Sequence, residues 1–172
     1  MLKIIGSILV IGATTLYGMK RAAGLKEQYV QMEYVRQLFC RVQSEIRYAR
    51  NPLGEIFSHV GRAAREPYGA WLLELGEMMG RREGGNFSKL WEDSIERRLG
   101  DSALSKQELK RLEELGGRLG LADIEMQVKT LELYLMQLTE AMGEVHEEMK
   151  EKVRLCHCLG VMSGMFIVIL LF

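Results

Sequence analysis

Proline occurs at only two positions, Pro52 and Pro67, in a chain of 172 residues. Proline breaks helices by removing a donor and clashing with the preceding turn, so its scarcity leaves long stretches able to run as uninterrupted helix. Cysteine is also scarce and odd in number, at three. That argues against a disulfide framework and fits thiols kept reduced in a cytoplasmic domain. An excess of one charge is absent too, with Lys plus Arg and Asp plus Glu at 23 each. No overall field therefore draws the chain to nucleic acid or to an acidic ligand.

The usual signatures of chemistry are also missing. The positions three before His59, His146 and His157 hold Ile56, Gly143 and Arg154, so the Glu-x-x-His pairs of a di-metal helical bundle are absent. His146-Glu147 opens like a zinc-protease helix, yet Lys150 stands where the second histidine belongs. Gly80 and Gly85 have the spacing of a phosphate-binding loop, but Asn86-Phe87 replaces the required Lys and Ser or Thr. In Cys156-His157-Cys158, neighbours on a helix point about 100° apart and cannot converge on one metal. Cys40 reads as a small apolar core residue rather than a nucleophile. No catalytic, cofactor-binding or metal-binding residue is assigned, no cofactor is expected, and the chain is read as something other than an enzyme.

What the chain does have is two apolar segments, Ile4–Met19 and Leu155–Phe172, neither containing Asp, Glu, Lys or Arg. As helices they would be about 24 and 27 Å long, against a hydrocarbon core of ~30 Å. Lys20 and Arg21 follow the first segment directly while only Lys3 precedes it, which is the wrong polarity for a cleaved signal peptide. The run Phe166 to Phe172 is apolar around its whole circumference, so it needs a large core or lipid. Three parts are predicted: an N-terminal transmembrane helix over 1–21, a soluble helical domain over 22–154, and a C-terminal transmembrane helix over 155–172. Lys20, Arg21, Lys26, Lys150, Lys152 and Arg154 all flank the spans on the domain side, which places that domain in the cytoplasm of a membrane-anchored protein.

The middle reads as helix throughout. Met32, Val35, Phe39, Val42, Ile46 and Ala49 recur at steps of 3 and 4, a heptad-like seam. Asn51 is a candidate N-cap with Pro52 at the first helical position, and Pro67 marks another boundary. Phe87, Leu90, Trp91, Ile95 and Leu99 share a face of a helix that Asn86 can cap and Gly100 can end in the left-handed conformation. Ser105-Lys106-Gln107-Glu108 has capping-box form, opening a helix with Leu109, Leu112 and Leu115 on one side. The glycines of Leu115-Gly116-Gly117-Arg118-Leu119-Gly120 are expected to break it.

The last helix carries a seam through Ile124, Val128, Leu131, Leu135, Leu138, Met142, Val145, Met149 and Val153, then enters the apolar segment without a proline. Continued to Phe172 it would be about 75 Å long at ~1.5 Å per residue. The fold predicted is all-α: an antiparallel helical hairpin stalk carrying a small helical bundle, anchored by both terminal helices. Val35, Phe39, Val42, Ile46, Leu131, Leu135, Leu138 and Met142 form its seam, pairing within one chain or between chains of a homo-oligomer. Gly160 and Gly164, with Thr14 and Gly18 on the first span, offer small faces for close packing in lipid. Arg47, Arg50, Arg62, Arg65, Arg81 and Arg82 make parts of the first half basic, a solvated face or a dock for an acidic partner or lipid head groups.

At this point a resemblance becomes specific. Met1-Leu2-Lys3 with Gly6, Ala13-Thr14-Thr15 with Gly18, Glu45-Ile46-x-Tyr48 and Pro52-Leu53 come in order. Trp91 with Ser94, Leu115-Gly116-x-x-Leu119-Gly120-x-x-Asp123 and Leu159-Gly160-x-x-Ser163-Gly164 follow. Together they resemble the stage III sporulation protein AB family of endospore-forming bacteria over essentially the entire chain; the glycine-rich 80–85 loop departs from it. The resemblance implies a place in the mother-cell membrane facing the forespore, in the channel apparatus linking the two compartments. It also implies a distant similarity to the inner-membrane platform protein of type II secretion and type IV pilus machines. The partners it implies are other stage III sporulation channel proteins and a cytoplasmic secretion-type ATPase, alongside membrane lipids and without nucleic acid. The alternative role is a scaffold or regulator that assembles other channel subunits through its spans.

Overall fold

Six α-helices and no strand make up the described residues of the computed structural model, which describes the backbone of residues 2–49, 51–81, 87–120 and 123–171. Side chains are described for residue 20 and for 23–49, 51–81, 87–120 and 123–155. The helices are α1 (Leu2–Ala49), α2 (Leu53–Ala63), α3 (Tyr68–Gly80), α4 (Phe87–Leu99), α5 (Lys106–Leu119) and α6 (Ile124–Leu171). The chain divides into two units, one of residues 31–141 and one combining residues 1–30 with 142–172.

Each proline stands immediately before a helix. Pro52 is itself the N-cap of α2, with φ −54° and ψ 142°, and its carbonyl accepts from the backbone of Glu55 at 2.9 Å. The cap therefore sits one residue later than Asn51, and Leu53 is the first helical residue. Proline's fixed φ suits either position. Pro67 also stands directly before its helix, α3, but with φ −85° and ψ −4°, and its carbonyl accepts from the backbone of Trp71 at 3.1 Å. At α5 the side chain of Ser105 accepts from the Glu108 backbone N–H at 3.2 Å, satisfying one of the donors that a helix start leaves over.

Two readings of the glycines change. The helix α5 does not break at Gly116 and Gly117 but continues to Leu119. No glycine among the described residues has positive φ, so Gly100 ends α4 without a left-handed cap. A Cβ at Gly100 would lie 2.6 Å from the Glu96 carbonyl oxygen, so close approach rather than φ explains that glycine. At Gly116 a Cβ would lie 2.2 Å from the Trp91 ring, and at Gly120 it would lie 2.4 Å from Phe87. These glycines are seats for the aromatic face of α4. The residue predicted to cap α4, Asn86, lies outside the described residues, as do 82–85 of the glycine-rich loop.

The core of the 31–141 unit is aromatic at its centre. Trp71 and Trp91 are fully buried with ring centroids 5.0 Å apart, and Phe39 and Phe57 pack against them. Both indoles find acceptors: Trp91 Nε1 donates to the Leu112 carbonyl at 2.8 Å and Trp71 Nε1 donates to Ser94 Oγ at 2.9 Å. Ser94 Oγ in turn donates to the Trp91 carbonyl at 2.7 Å, so this buried hydroxyl joins both tryptophans. Burying such groups unpaired would cost on the order of 1–3 kcal/mol each.

Candidate interaction surfaces

The parts of α1 and α6 within the 31–141 unit run antiparallel, since the contact at Phe39 falls on Tyr134 while those at Gln43 and Arg47 fall on the lower numbers Val128 and Glu132. Phe39 meets Tyr134 at 5.2 Å between ring centroids, and Gln43 Nε2 donates to the Val128 carbonyl at 3.3 Å. Arg47 and Glu132 form a 2.7 Å ion pair that closes the exposed edge of the same contact. Val35, Phe39, Val42 and Ile46 are buried, and so are Leu131, Leu138 and Met142, whereas Leu135 is half-buried. Tyr134 takes the core position instead, giving a buried line Leu131, Tyr134, Leu138, Ala141. At the ends of the predicted seams, Ala49, Ile124 and Val153 are exposed.

The tyrosines that sequence periodicity passed over carry the polar part of this core. Tyr68 Oη donates to Gln31 Oε1 at 2.9 Å, and the backbone N–H of Ala103 donates to the same oxygen at 3.2 Å. Tyr34 Oη accepts from the Arg65 backbone at 2.5 Å, and the Arg65 guanidinium lies 5.3 Å over its ring. Burial raises the phenol pKa of both Tyr68 and Tyr134, and for Tyr134 the carboxylate of Glu108 adds to the effect. Both phenols therefore stay neutral. Glu108 is itself buried and accepts from Arg111 Nη1 at 2.6 Å. One clue was in the sequence: Ser94 stands three residues after Trp91 on an otherwise apolar face.

No group of three or more His, Cys, Asp or Glu side chains is placed to hold a metal among the described residues. Cys40 is exposed, which overturns its reading as a core residue. It precedes the buried Val42 by two positions, which turns it about 200° from the core. A groove of about 540 Å³ runs between α2 and α3, with Leu53, Gly54 and Met79 along it and Glu55, His59 and Arg62 along one face of α2. His59 is exposed and its Nδ1 lies 3.3 Å from Glu45 Oε1.

The basic residues of the first half are mostly engaged. Arg47 pairs with Glu132, Arg65 covers Tyr34, and Arg81 lies 3.8 Å from Glu77, while Arg62 borders the groove. Arg50 and Arg82 lie outside the described residues. A stronger clasp, formed by residues not singled out from sequence, joins α3 to α4. Glu74 takes Arg98 at 2.6 Å and Arg97 at 2.7 Å. Burial raises the Glu74 pKa, but the two arginines outweigh it and hold the carboxyl below its usual range.

Among the described residues no helix is long and apolar enough to cross a membrane. The two apolar segments, apart from Leu155, lie outside the residues with described side chains, and so do Thr14, Gly18, Gly160 and Gly164.

Fold and surface thus define a class: an all-helical protein with an aromatic core and two 48-residue terminal helices. The profile of the family Stage III sporulation protein AB matches residues 3–172, and the chain belongs to that family. The stage III sporulation protein AB of Bacillus subtilis (strain 168) is 24% identical over 172 residues, covering 99% of each chain. A solved structure of a stage III sporulation protein AB shares the fold, with a TM-score of 0.63 and 20% identity. That match covers 72% of this chain and 97% of the other. The chain is therefore a sporulation protein with an all-helical fold.

Proposed function

We propose that this chain is a membrane-anchored, non-enzymatic component of the channel apparatus between mother cell and forespore, where it acts as a platform-like adaptor for a cytoplasmic ATPase. The observation that carries the reading is the family match over residues 3–172, which takes in both apolar termini together with the charged middle. The helices α1 and α6 each hold an apolar segment at one end and core residues of the bundle at the other. That is the covalent arrangement an adaptor between membrane and cytoplasm needs. On this reading Ile4–Met19 and Leu155–Phe172 are retained spans. Gly160 and Gly164 pack closely against Thr14 and Gly18, and 22–154 faces the cytoplasm of the mother cell.

The test is recovery of the secretion-type ATPase with the full chain after mild-detergent extraction of sporulating cells. Co-purification that survives Gly160→Leu and Gly164→Leu, while channel assembly is lost, places ATPase binding in the domain and assembly in the spans. No association in detergent or after cross-linking in cells would overturn the adaptor role.

A further inference from the structure

In the unit formed by residues 1–30 and 142–172, Tyr29 and His146 lie with ring centroids 5.6 Å apart. That contact sets a common level on two antiparallel helices. Lys20 lies nine residues from Tyr29 toward the N-terminus, and Arg154 lies eight residues from His146 toward the C-terminus. At ~1.5 Å per residue these are displacements of about 13.5 and 12 Å in the same direction. The two cations therefore reach nearly the same height, beside the ends of the two apolar segments.

The side chains at this height have an unusual composition. Lys20 and Arg154 are exposed, and no carboxylate pairs with them among the described residues. Val153 and Leu155, on either side of Arg154, are also exposed, at 43% and 61%. Glu151 stands one turn back from Arg154, and the acids accumulate about two turns back from the two cations, with Glu147 and Glu148 on α6 and Glu27 on α1, and Glu144 beyond them. Lys150 donates to Glu147 at 2.8 Å and Lys152 donates to Glu148, so two of these acids are held by cations from the apolar side. Lys150 holds the Glu147 carboxyl below its usual range.

We infer that Lys20, Lys152 and Arg154 form a collar that binds the phosphate groups of anionic phospholipids. Large apolar side chains exposed beside Arg154, as Val153 and Leu155 are, are unfavourable in water. They suit the boundary of a bilayer, where acyl chains cover the apolar groups and long cationic stems lift their charges to the phosphates. Glu27, Glu147 and Glu148 stand about two turns farther out, where repulsion from those phosphates is weaker, and Glu151 is the acid nearest to them. The collar rests on the membrane reading above and adds lipid selectivity to it.

The experiment uses the full chain in bilayer discs of equal phosphatidylglycerol and phosphatidylcholine, followed by analysis of lipids retained in mild detergent. The native chain is expected to retain phosphatidylglycerol preferentially. Each of Lys20→Gln, Lys152→Gln and Arg154→Gln should weaken that preference about fivefold at low salt, while Arg154→Lys keeps it. Lys89→Gln and Lys110→Gln, the same charge change in the bundle, should leave it unaltered. Insertion into the disc with equal retention of both lipids, or a triple variant as selective as the native chain, would overturn the collar alone. Failure to insert, read as release by alkaline carbonate, would overturn the membrane reading and the collar with it.

Discussion

Replacing Gly116 by alanine sets two opposed effects against each other, and the structure decides between them. An alanine within a helix is favoured over glycine by about 1 kcal/mol. Against this, the new Cβ would lie 2.2 Å from Cγ and Cδ1 of Trp91 and 2.6 Å from its Nε1. Ordinary carbon contact begins near ~3.5 Å, so the indole would have to move by more than an ångström. It has little room to do so. Trp91 is fully buried, lies against Trp71, Phe57 and Phe87, and is tied to the Leu112 carbonyl. Overpacking of this kind costs about 1–3 kcal/mol, and stretching the indole hydrogen bond adds ~1 kcal/mol. After the helical gain is subtracted, Gly116→Ala should destabilise by about 1–3 kcal/mol. Gly117→Ala supplies the contrast, because its Cβ would meet only Ser88 Oγ at 3.3 Å, the end of a small rotatable side chain. That variant should gain up to ~1 kcal/mol. Thermal unfolding of the full chain in mild detergent, followed by the fluorescence of its two tryptophans, reads the difference at about 2–4 °C per kcal/mol. Equal stabilisation by both alanines would refute the seating of Trp91 on Gly116.

Further outcomes follow from the same contacts. Ser94→Ala leaves the buried Trp71 N–H without its acceptor, and should lower unfolding stability by about 1–3 kcal/mol in urea titration. Ser94→Thr restores part of the loss if the hydroxyl is what matters. Glu74 has a carboxyl pKa lowered in the folded state, so its contribution is present above the unfolded carboxylate value and is lost as pH falls through the lower folded value. Comparison of native and Glu74→Gln melting from pH 7 to 3 should show a gap of ~1 kcal/mol or less that closes on the acid side; a gap that widens there would contradict the clasp. With Cys156→Ser and Cys158→Ser in place, native Cys40 should react with a thiol reagent without denaturant, and protection of that thiol would contradict its exposure.

The helical class and the positions of the prolines were legible because each rests on local chemistry. Periodicity at steps of 3 and 4 has one reading, and Pro52 and Pro67 cannot lie inside a helix with an intact hydrogen-bond ladder. The errors arose where a tertiary neighbour decides. Gly116 and Gly117 look like breakers, yet α5 runs through them with Trp91 filling the space above Gly116, and only Gly120 ends the helix. Leu135 and Tyr134 are adjacent, and hydrophobicity alone favours the leucine, yet the tyrosine packs edge-on against Phe39. Cys40 looks apolar by type, while its place on α1 turns it outward. Surface clasps such as Glu74 with Arg97 and Arg98 join residues far apart in sequence, and no periodicity announces them. The polar network around Gln31 and Tyr68 was not legible either, because it depends on which helices meet.

The exposed Cys40 also allows the most direct test of the proposal that a membrane-anchored protein presents its helical domain to the cytoplasm. In the chain retaining only that cysteine, a membrane-impermeant maleimide should label Cys40 in inverted vesicles and leave it unlabelled in intact cells until the membrane is permeabilised. Labelling in intact cells, or recovery of the labelled chain in the soluble fraction, would contradict the account.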